Sequence, residues 1–446
     1  MSAPAGTRAI VAGLGLASLL GYGLGLPRLV AESRQPHLTY VGLFGALFVV
    51  YLAAAWLVLR RSQHDRALLV LVLLFGLLFR ASVLPSPVVL SSDVYRYLWD
   101  GRVQRAGISP YRYPPAAREL TTLRDATIYP LINRPTKPTV YPPGAEAVFA
   151  LVARVAPDSL IAWRAFLLMT DAVTVGLLLV LLRRAAVPPA ASIVYAWSPL
   201  VVFEGVQAAH VDLAMIPLVL AAMLWRQRGS SLRAGAALGG ATLVKLYPLV
   251  LLAAWWRPRD WRFVAAVAVT VTVGYGPHVT EVGLGALGFL PEYLGRAEDH
   301  NIGLRALLTY PLGLDGDAAR VGAMAVLFGV MAVALLWIGR ASDGEPNAVV
   351  RAGAMAVAVY LLLVPTSMHP WYVLWIVPFL CVHRWPAWLW FSGGVTLSYL
   401  SYAVAPAPIP WWAWLAEYGP FYALLLAAGW RVLRGARPVA IAPRTT

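Results

Sequence analysis

Charged residues are scarce in this chain of 446 residues: they make up 13% of it, whereas 60% of the residues are hydrophobic. A soluble domain carries roughly a quarter of charged residues, so the composition excludes a soluble protein of this length. Apolar runs of membrane-spanning length recur from end to end, and they lack the alternation of barrel strands. The sequence therefore predicts an all-α polytopic membrane protein.

The chain has a single cysteine and no glycine-rich phosphate loop. The single cysteine, Cys381, excludes an intramolecular disulfide and is interpreted as a buried, inert thiol. No fixed-period repeat and no Walker or Rossmann signature is present, so we expect no soluble nucleotide-binding domain. The net charge of +15 comes from arginines spread through short loops. The positive-inside rule explains that spread, and we expect no nucleic-acid partner.

Hydropathy predicts a bundle of about 13 (12–14) transmembrane helices. The first apolar run is kept as a helix rather than a signal peptide, because no small-residue cleavage site follows it. The predicted spans are 9–26, 38–59, 67–85, 160–182, 188–203, 210–225, 232–256, 261–276, 320–339, 348–366, 370–382, 385–402 and 412–433. They suggest five regions: 1–85, 86–159, 160–276, 277–319 and 320–446.

Clustered arginines between the spans predict the orientation, with both termini in the cytoplasm. For all clusters to lie inside, 144–156 must be a re-entrant or interfacial helix, and 232–256 must leave and return with a bend near Lys245–Pro248. This places the long polar loops, 86–143 and 277–319, on the outer face. The first is expected to fold into short interfacial helices, of which 94–106 is the clearest. Its arginines suggest an anionic ligand or, alternatively, contacts with lipid head groups.

Ionisable side chains at the outer ends of apolar helices are the functional candidates. They lie in five separate segments on one leaflet: Asp93 with Arg96 and Asp100, His210 with Asp212, Lys245 with Tyr247, Glu298 with His300 and Asn301, and His369. A carboxylate there can act as a general base on a hydroxyl, and cations can hold a leaving phosphate. The pattern indicates glycosyl transfer from a lipid phosphate.

Each candidate also has a structural alternative. Asp93 could cap the following helix, and Asp100 could be an ion-pair partner of Arg96 or Arg102. His210 and Asp212 could form an interhelical hydrogen bond, and Lys245 could extend to the membrane interface. His369 could cap a helix, and 298–300 could be a solvated turn. The tryptophans of 371–375, 385–390 and 411–414 are interpreted as interface anchors.

The order of motifs resembles that of the membrane-embedded GT-C glycosyltransferases, above all the bacterial polyprenol-phosphate-mannose mannosyltransferases and the catalytic subunit of GPI mannosyltransferase I. The matching positions are Ser92-Asp93-Val94-Tyr95, Asp100, Gly107-Ile108-Ser109-Pro110-Tyr111, Tyr141-Pro142-Pro143, Asp171, Lys245-Leu246-Tyr247-Pro248 and His369. The second carboxylate of the family's Asp-x-Asp pair is missing, since Tyr95 follows Val94. A divalent metal is therefore not expected, nor any other cofactor.

The resemblance implies a GT-C-like fold and an inverting transfer of a sugar, mannose above others, from polyprenyl phosphate to a glycolipid or polysaccharide. Asp93 would be the base. Donor binding would fall to Lys245, His369, Arg96, His210 and Tyr247, and secondary or acceptor roles to Asp100, Asp212, Glu298, His300, Asn301 and Tyr141. The expected location is a bacterial inner membrane, with a periplasmic site on a monomer.

Two other classes stay open on the sequence alone. A lipid or sugar transporter would also have many helices and intramembrane charges, although no two related halves are visible here. A non-catalytic subunit that binds a glycolipid is the third reading. The sequence names neither the sugar nor the acceptor.

Overall fold

The computed structural model describes residues 5–30, 32–61, 65–295, 300–309, 316–341, 347–363, 367–404 and 409–434. Within these ranges the chain is helical throughout its regular structure and contains no strand. An all-helical fold is what a bilayer demands of a spanning chain, because a helix satisfies its backbone hydrogen bonds within itself. The predicted fold class is confirmed at this level.

Eighteen α-helices lie in these ranges, with short 3₁₀ and π segments between several of them. Their bounds are α1 Ala5–Leu20, α2 Pro36–Arg61, α3 Arg66–Ser82, α4 Asp93–Arg105, α5 Pro143–Val155, α6 Leu160–Arg184, α7 Ile193–Ala196, α8 Asp212–Gln227, α9 Ser231–Val244, α10 Val250–Trp255, α11 Trp261–Val282, α12 Leu290–Gly295, α13 Gly303–Thr309, α14 Asp317–Ala341, α15 Ala348–Leu363, α16 Val377–His383, α17 Pro386–Gly394 and α18 Trp411–Leu433. The π segments are Gly21–Val30 and Val201–Gln207.

Five helical stretches in the described part are long and apolar enough to cross a membrane, and a sixth arises if the pair bent by 64° at 197–200 is one span. Helix is present in every predicted span, but several are broken or short. The segment 370–382, for example, divides into a 3₁₀ turn and the seven-residue α16. The count of about 13 transmembrane helices is therefore not confirmed.

The break in 232–256 lies where the sequence predicts it. Helix α9 ends at Val244, and Lys245 is extended, with φ −145° and ψ 143°. Pro248 has no N–H to bond to the Val244 carbonyl four residues earlier, and its ring would collide with that carbonyl in a continuous helix.

The chain returns after this break, as predicted: α9 and α11 run parallel, because Gly235 lies against Phe263 and Gly274 lies against Leu243. Ser231 Oγ donates to Asp260 Oδ2 (2.8 Å) and Arg226 Nε to the Trp255 carbonyl (3.0 Å), so the chain after α10 is again beside the start of α9.

Buried charges inside the bundle are matched by polar partners. Arg80 and Asp171 form an ion pair of 2.5 Å, and Asp171 also accepts a hydrogen bond from Tyr195 Oη. Arg164 donates to the main-chain oxygens of Leu84, Ser86 and Gln207. These contacts join α3 to α6, and α6 to the segments around Leu84 and Gln207. They also spare each buried charge the several kcal/mol that burial without a partner would cost.

The polar region after α3 folds against the bundle as two short helices. Helix α4 confirms the predicted helix at 94–106 within one residue, and α5 corresponds to the predicted interfacial helix at 144–156. At 13 residues, α5 is about 20 Å long and too short to span. The two helices pack closely at Gly101, where a Cβ atom would lie 2.8 Å from the Phe149 carbonyl oxygen.

A buried carboxyl pair holds this region together. Glu146 is fully buried and accepts hydrogen bonds from Thr139 Oγ1 (2.6 Å) and Gln104 Nε2 (2.9 Å). Asp100, the neighbouring carboxyl, accepts a bifurcated hydrogen bond from Arg96 Nε, which lies 2.8 Å from Oδ1 and 2.9 Å from Oδ2. Burial, with the adjacent Asp100 charge, raises the pKa of Glu146 well above its ordinary value. Burial also raises the pKa of Asp100, although Arg96 opposes that rise.

The raised pKa of Glu146 predicts a loss of stability at higher pH. Folding favours the protonated acid, so its stabilising effect is complete below the ordinary glutamate pKa and is lost as the pH rises through the folded value. Glu146→Gln, which does not ionise, should flatten the fall in melting temperature between about pH 5 and about pH 9. The exposed Glu119→Gln is the control and should follow the wild type. Equal slopes for all three proteins would contradict the assignment.

Candidate active site

A cavity of about 1010 Å³ lies where the break after α9 meets the start of α4. One end of it is polar. Its polar lining includes Ser91, Ser92, Asp93, Arg96, Asn133, Arg134, Lys137, Tyr141, Lys245, Ser367 and His369. The other side is formed by apolar side chains of α10 and α14 and the turn before α10: Leu249, Val250, Ala253, Met324, Phe328, Met331 and Leu335. The cavity can thus take a ligand with a charged head and an apolar tail.

Asp93 is the first residue of α4, and it does not cap that helix. Its carboxylate instead accepts hydrogen bonds from two side chains of the segment before α5: Asn133 Nδ2 donates to Oδ1 (2.5 Å), and Tyr141 Oη donates to Oδ2 over 3.5 Å. Asp93 is half-buried at the cavity wall. Each carboxylate oxygen can accept a further hydrogen bond, so the carboxylate is able to take a proton from a bound hydroxyl.

Lys245 reaches the cavity from the break between α9 and α10. Its Nζ atom lies 3.2 Å from Oδ2 of the buried Asp212, and it faces the rings of Tyr141 and Tyr372 at 5.5 and 5.7 Å. Asp212 is held in turn by Trp375 Nε1, which donates to Oδ1 (2.7 Å). The Tyr247 ring stacks on Trp375 with 3.7 Å between centroids. The break thus presents one fixed ammonium group to the cavity.

His369 lines the same polar end. Its ring stacks on Trp371 at 4.3 Å and lies 5.4 Å from the ring of His300. Nδ1 of His369 is buried and has no hydrogen-bond partner within the described part of the chain. Burial lowers the pKa of His369 well below its ordinary value, and nearby histidines and cations act in the same direction. The neutral ring can donate one hydrogen bond to a bound anion.

The segment before α12 closes one side of the cavity. The Phe289 N–H donates to the Thr139 carbonyl (2.9 Å), and Lys137 pairs with Glu292 at 2.6 Å. Gly288 has φ +55°, and a Cβ atom there would collide with the Thr139 oxygen, so this close approach requires glycine. Together these contacts connect α12 to the segment that carries Asn133 and Tyr141.

The structure brings Asp93, Arg96, Tyr141, Lys245, Tyr247 and His369 to the cavity, as the sequence suggests. Arg96 is engaged by Asp100 and by the Lys137 carbonyl, which makes Asp100 an ion-pair partner. His210 and Asp212 do not bond to each other: Asp212 pairs with Lys245, and His210 is buried behind the cavity wall.

The second predicted loop contributes less to the cavity than expected. Asn301 is buried and donates to Glu417 Oε1 (2.7 Å) and to the Met368 carbonyl (3.2 Å), so it joins α18 to the chain before His369. His300 lies beside the cavity: its ring is 5.4 Å from that of His369, and its main-chain N–H donates to Ser367 Oγ over 3.4 Å. Glu298 lies outside the described residues.

Sequence reasoning missed Asn133 and the tryptophans that support the site. Asn133 stands in a loop with no periodic pattern, and only the fold brings it to Asp93. Trp371 and Trp375 are buried cavity-lining residues rather than interface anchors, with exposures of 6% and 4%. They lie in the 3₁₀ helix Pro370–Trp375, in which residues four apart do not share a face, so sequence periodicity gave no signal for them.

Comparison with known proteins gives one family. A family model described as alpha-(1->6)-mannopyranosyltransferase, N-terminal domain, of the MptA_B family, matches residues 9–257, more than half of the chain. The matched range contains Asp93, Asp212 and Lys245, but not His369. None of the curated proteins matches the chain.

Asp212→Asn tests the ion pair behind the cavity. The amide keeps an acceptor for Trp375 but removes the counter-charge of Lys245, so folding should lose about 1–3 kcal/mol, less than for a fully enclosed pair because Lys245 reaches the cavity. The measurement is the melting temperature in detergent. Asp125→Asn, at the more exposed pair with Arg102, is the matched control and should lower it less. Equal losses would contradict the role given to Asp212.

Proposed function

The chain belongs to the MptA_B family of alpha-(1->6)-mannopyranosyltransferases, and from that premise we propose that its cavity transfers mannose from polyprenyl phosphate to a hydroxyl of a glycolipid or polysaccharide. The family makes the chain a glycosyltransferase. The lipid-phosphate donor is our extension. It rests on one observation above all: the cavity joins a polar end with a carboxylate and cations to an apolar wall of two helices.

The polar end has the groups that a direct displacement requires. Asp93 takes the proton of the acceptor hydroxyl, whose oxygen attacks the anomeric carbon of mannose. The bond from that carbon to the phosphate oxygen breaks, and its electron pair leaves with the polyprenyl phosphate. Lys245 and the Nδ1 side of His369 stabilise the charge that develops on the phosphate. One displacement inverts the anomeric centre, so a β-linked donor gives an α-linked product.

The apolar wall suits the donor's tail. Helix α14 contributes Met324, Phe328, Met331 and Leu335, and α10 contributes Val250 and Ala253. The prenyl chain already lies in hydrocarbon before it binds, so an apolar wall replaces lipid contacts with side-chain contacts and avoids the desolvation that a polar wall would require. The tail then lies beside the bilayer while the phosphate rests near Lys245.

The outer face of a bacterial inner membrane is the location we propose for this cavity. The arginine clusters between the predicted spans support this orientation, because they favour the cytoplasmic side. The proposed mechanism needs no metal, since Asp93 acts as the base and side-chain cations bind the phosphate.

Asp93→Asn tests the base directly. The amide can still accept the hydrogen bond from Tyr141 or Asn133 but cannot take a proton at neutral pH. We expect transfer of radiolabelled mannose from polyprenyl-phosphate mannose to fall by about 10²–10⁴-fold, with donor affinity unchanged.

The matched control is Asp125→Asn, outside the cavity, which should retain transfer. Appreciable turnover by Asp93→Asn would remove Asp93 as the base. A wild type that moves the donor across vesicles without cleaving it would be a transporter instead.

Met331→Asp tests the tail-binding wall. A carboxylate there is costly beside a buried hydrocarbon chain, so the donor KM should rise at least about tenfold for a long prenyl chain. A donor truncated to one or two prenyl units should be affected much less. Val321→Asp on the same helix is exposed and outside the cavity lining, and serves as the control. Equal effects on long and short donors would rule out this wall as the tail site.

A further inference from the structure

His210 is fully buried behind the cavity wall, in a backbone arrangement built around it. The Glu204 carbonyl, in the π segment Val201–Gln207, accepts both the main-chain N–H of His210 (3.2 Å) and a hydrogen bond from its ring Nδ1 (2.9 Å). The preceding Ala209 has φ +63°, a left-handed conformation that costs free energy in any residue but glycine. Strain of this kind is retained where a structure must hold a side chain in one place.

One edge of the His210 ring points toward Asp93. A carbonyl oxygen can only accept, so Nδ1 carries the ring proton and Nε2 accepts from Ser91 Oγ at 3.0 Å. Ser91 Oγ in turn accepts the N–H of Asp93 in a long hydrogen bond of 3.4 Å. His210 is therefore one hydroxyl away from the first residue of α4.

One face of the same ring points toward His369. His210 stacks on Trp371 with 4.1 Å between centroids and 17° between planes. His369 stacks on the same indole at 4.3 Å and 3°. Both histidines therefore stack on one indole, and Trp371 connects them.

We propose that His210 is a positioning residue that fixes Asp93 through Ser91 and His369 through Trp371. The base and the phosphate-binding imidazole come from segments more than 270 residues apart, and His210 contacts both supports. A misplacement of about 1 Å between reacting groups can cost 10²-fold in rate, so a shared support has a kinetic value. This inference rests on the proposed function of the same cavity.

The two connections can be cut separately. His210→Phe keeps an aromatic face against Trp371 but removes the acceptor for Ser91, while the Glu204 carbonyl keeps its main-chain donor. Ser91→Ala removes the same hydrogen bond from the other side. Both should lower kcat by about 10- to 100-fold with donor KM unchanged, and the double variant should be no slower than either single one.

The second connection should affect the donor instead. Trp371→Leu should raise the donor KM and weaken binding of polyprenyl monophosphate several-fold, and Trp371→Phe should restore most of both. His210→Leu, which loses the ring face and the hydrogen bond, should show the kcat loss and the weaker phosphate binding together. Melting temperatures of all variants, measured in detergent, separate these effects from general unfolding.

The proposal is overturned if the effects of His210→Phe and Ser91→Ala multiply in the double variant, or if every variant keeps wild-type kcat and KM per folded molecule. A wild type that binds polyprenyl monophosphate but transfers no mannose would reject the proposed function alone. The inference would then be decided by how tightly the variants bind polyprenyl monophosphate: Trp371→Leu and His210→Leu should bind it more weakly, and Ser91→Ala should bind it like the wild type. A wild type that neither binds nor transfers overturns both.

Discussion

The ion pair between Lys245 and Asp212 is the interaction on which the site depends. Asp212 is fully buried at the start of α8, and Lys245 stands at the break after α9, so the pair connects two helices at the cavity. Neither charge is tolerable alone in apolar surroundings. Paired, they leave the ammonium group facing the cavity, with tyrosine rings on two sides. The helix break makes this possible. Lys245 has an extended backbone just after α9 ends, and Pro248 prevents the helix from continuing through it.

The same need for internal partners explains the rest of the polar structure. Arg96 holds Asp100 and the Lys137 carbonyl, and Thr139 binds Glu146 with its side chain and Phe289 with its carbonyl. Through these contacts the segment with Asn133 and Tyr141 is fixed on both sides, by α4 and α5 and by the turn before α12. A loop so well connected can place single side chains as precisely as a helix would.

Sequence reasoning reached the parts of this fold that depend on local chemistry. Hydropathy predicted the all-helical class, Pro248 predicted the break after α9, and the polar run at 93–105 predicted α4. The predicted number of spans is not confirmed, because the helices at 188–207 and 370–404 are bent or short. Nor could sequence reasoning pair Asp212 with Lys245 or Asn133 with Asp93, since those partners are 33 and 40 residues apart and only tertiary packing joins them.

Tyr141 sets the distance between the two ends of the proposed chemistry. Its hydroxyl lies 3.5 Å from one oxygen of Asp93, and its ring lies 5.5 Å from Nζ of Lys245. The base and the cation are thus separated by one aromatic ring, a width comparable to that of one sugar ring. Asn133 binds the other oxygen of Asp93 at 2.5 Å and holds the carboxylate in place. The oxygen on the Tyr141 side is the less firmly bound and is the one left for the acceptor hydroxyl. In the mechanism we propose, an acceptor bound at that oxygen and a phosphate bound at Lys245 lie on opposite sides of the sugar, which is the geometry that inversion requires.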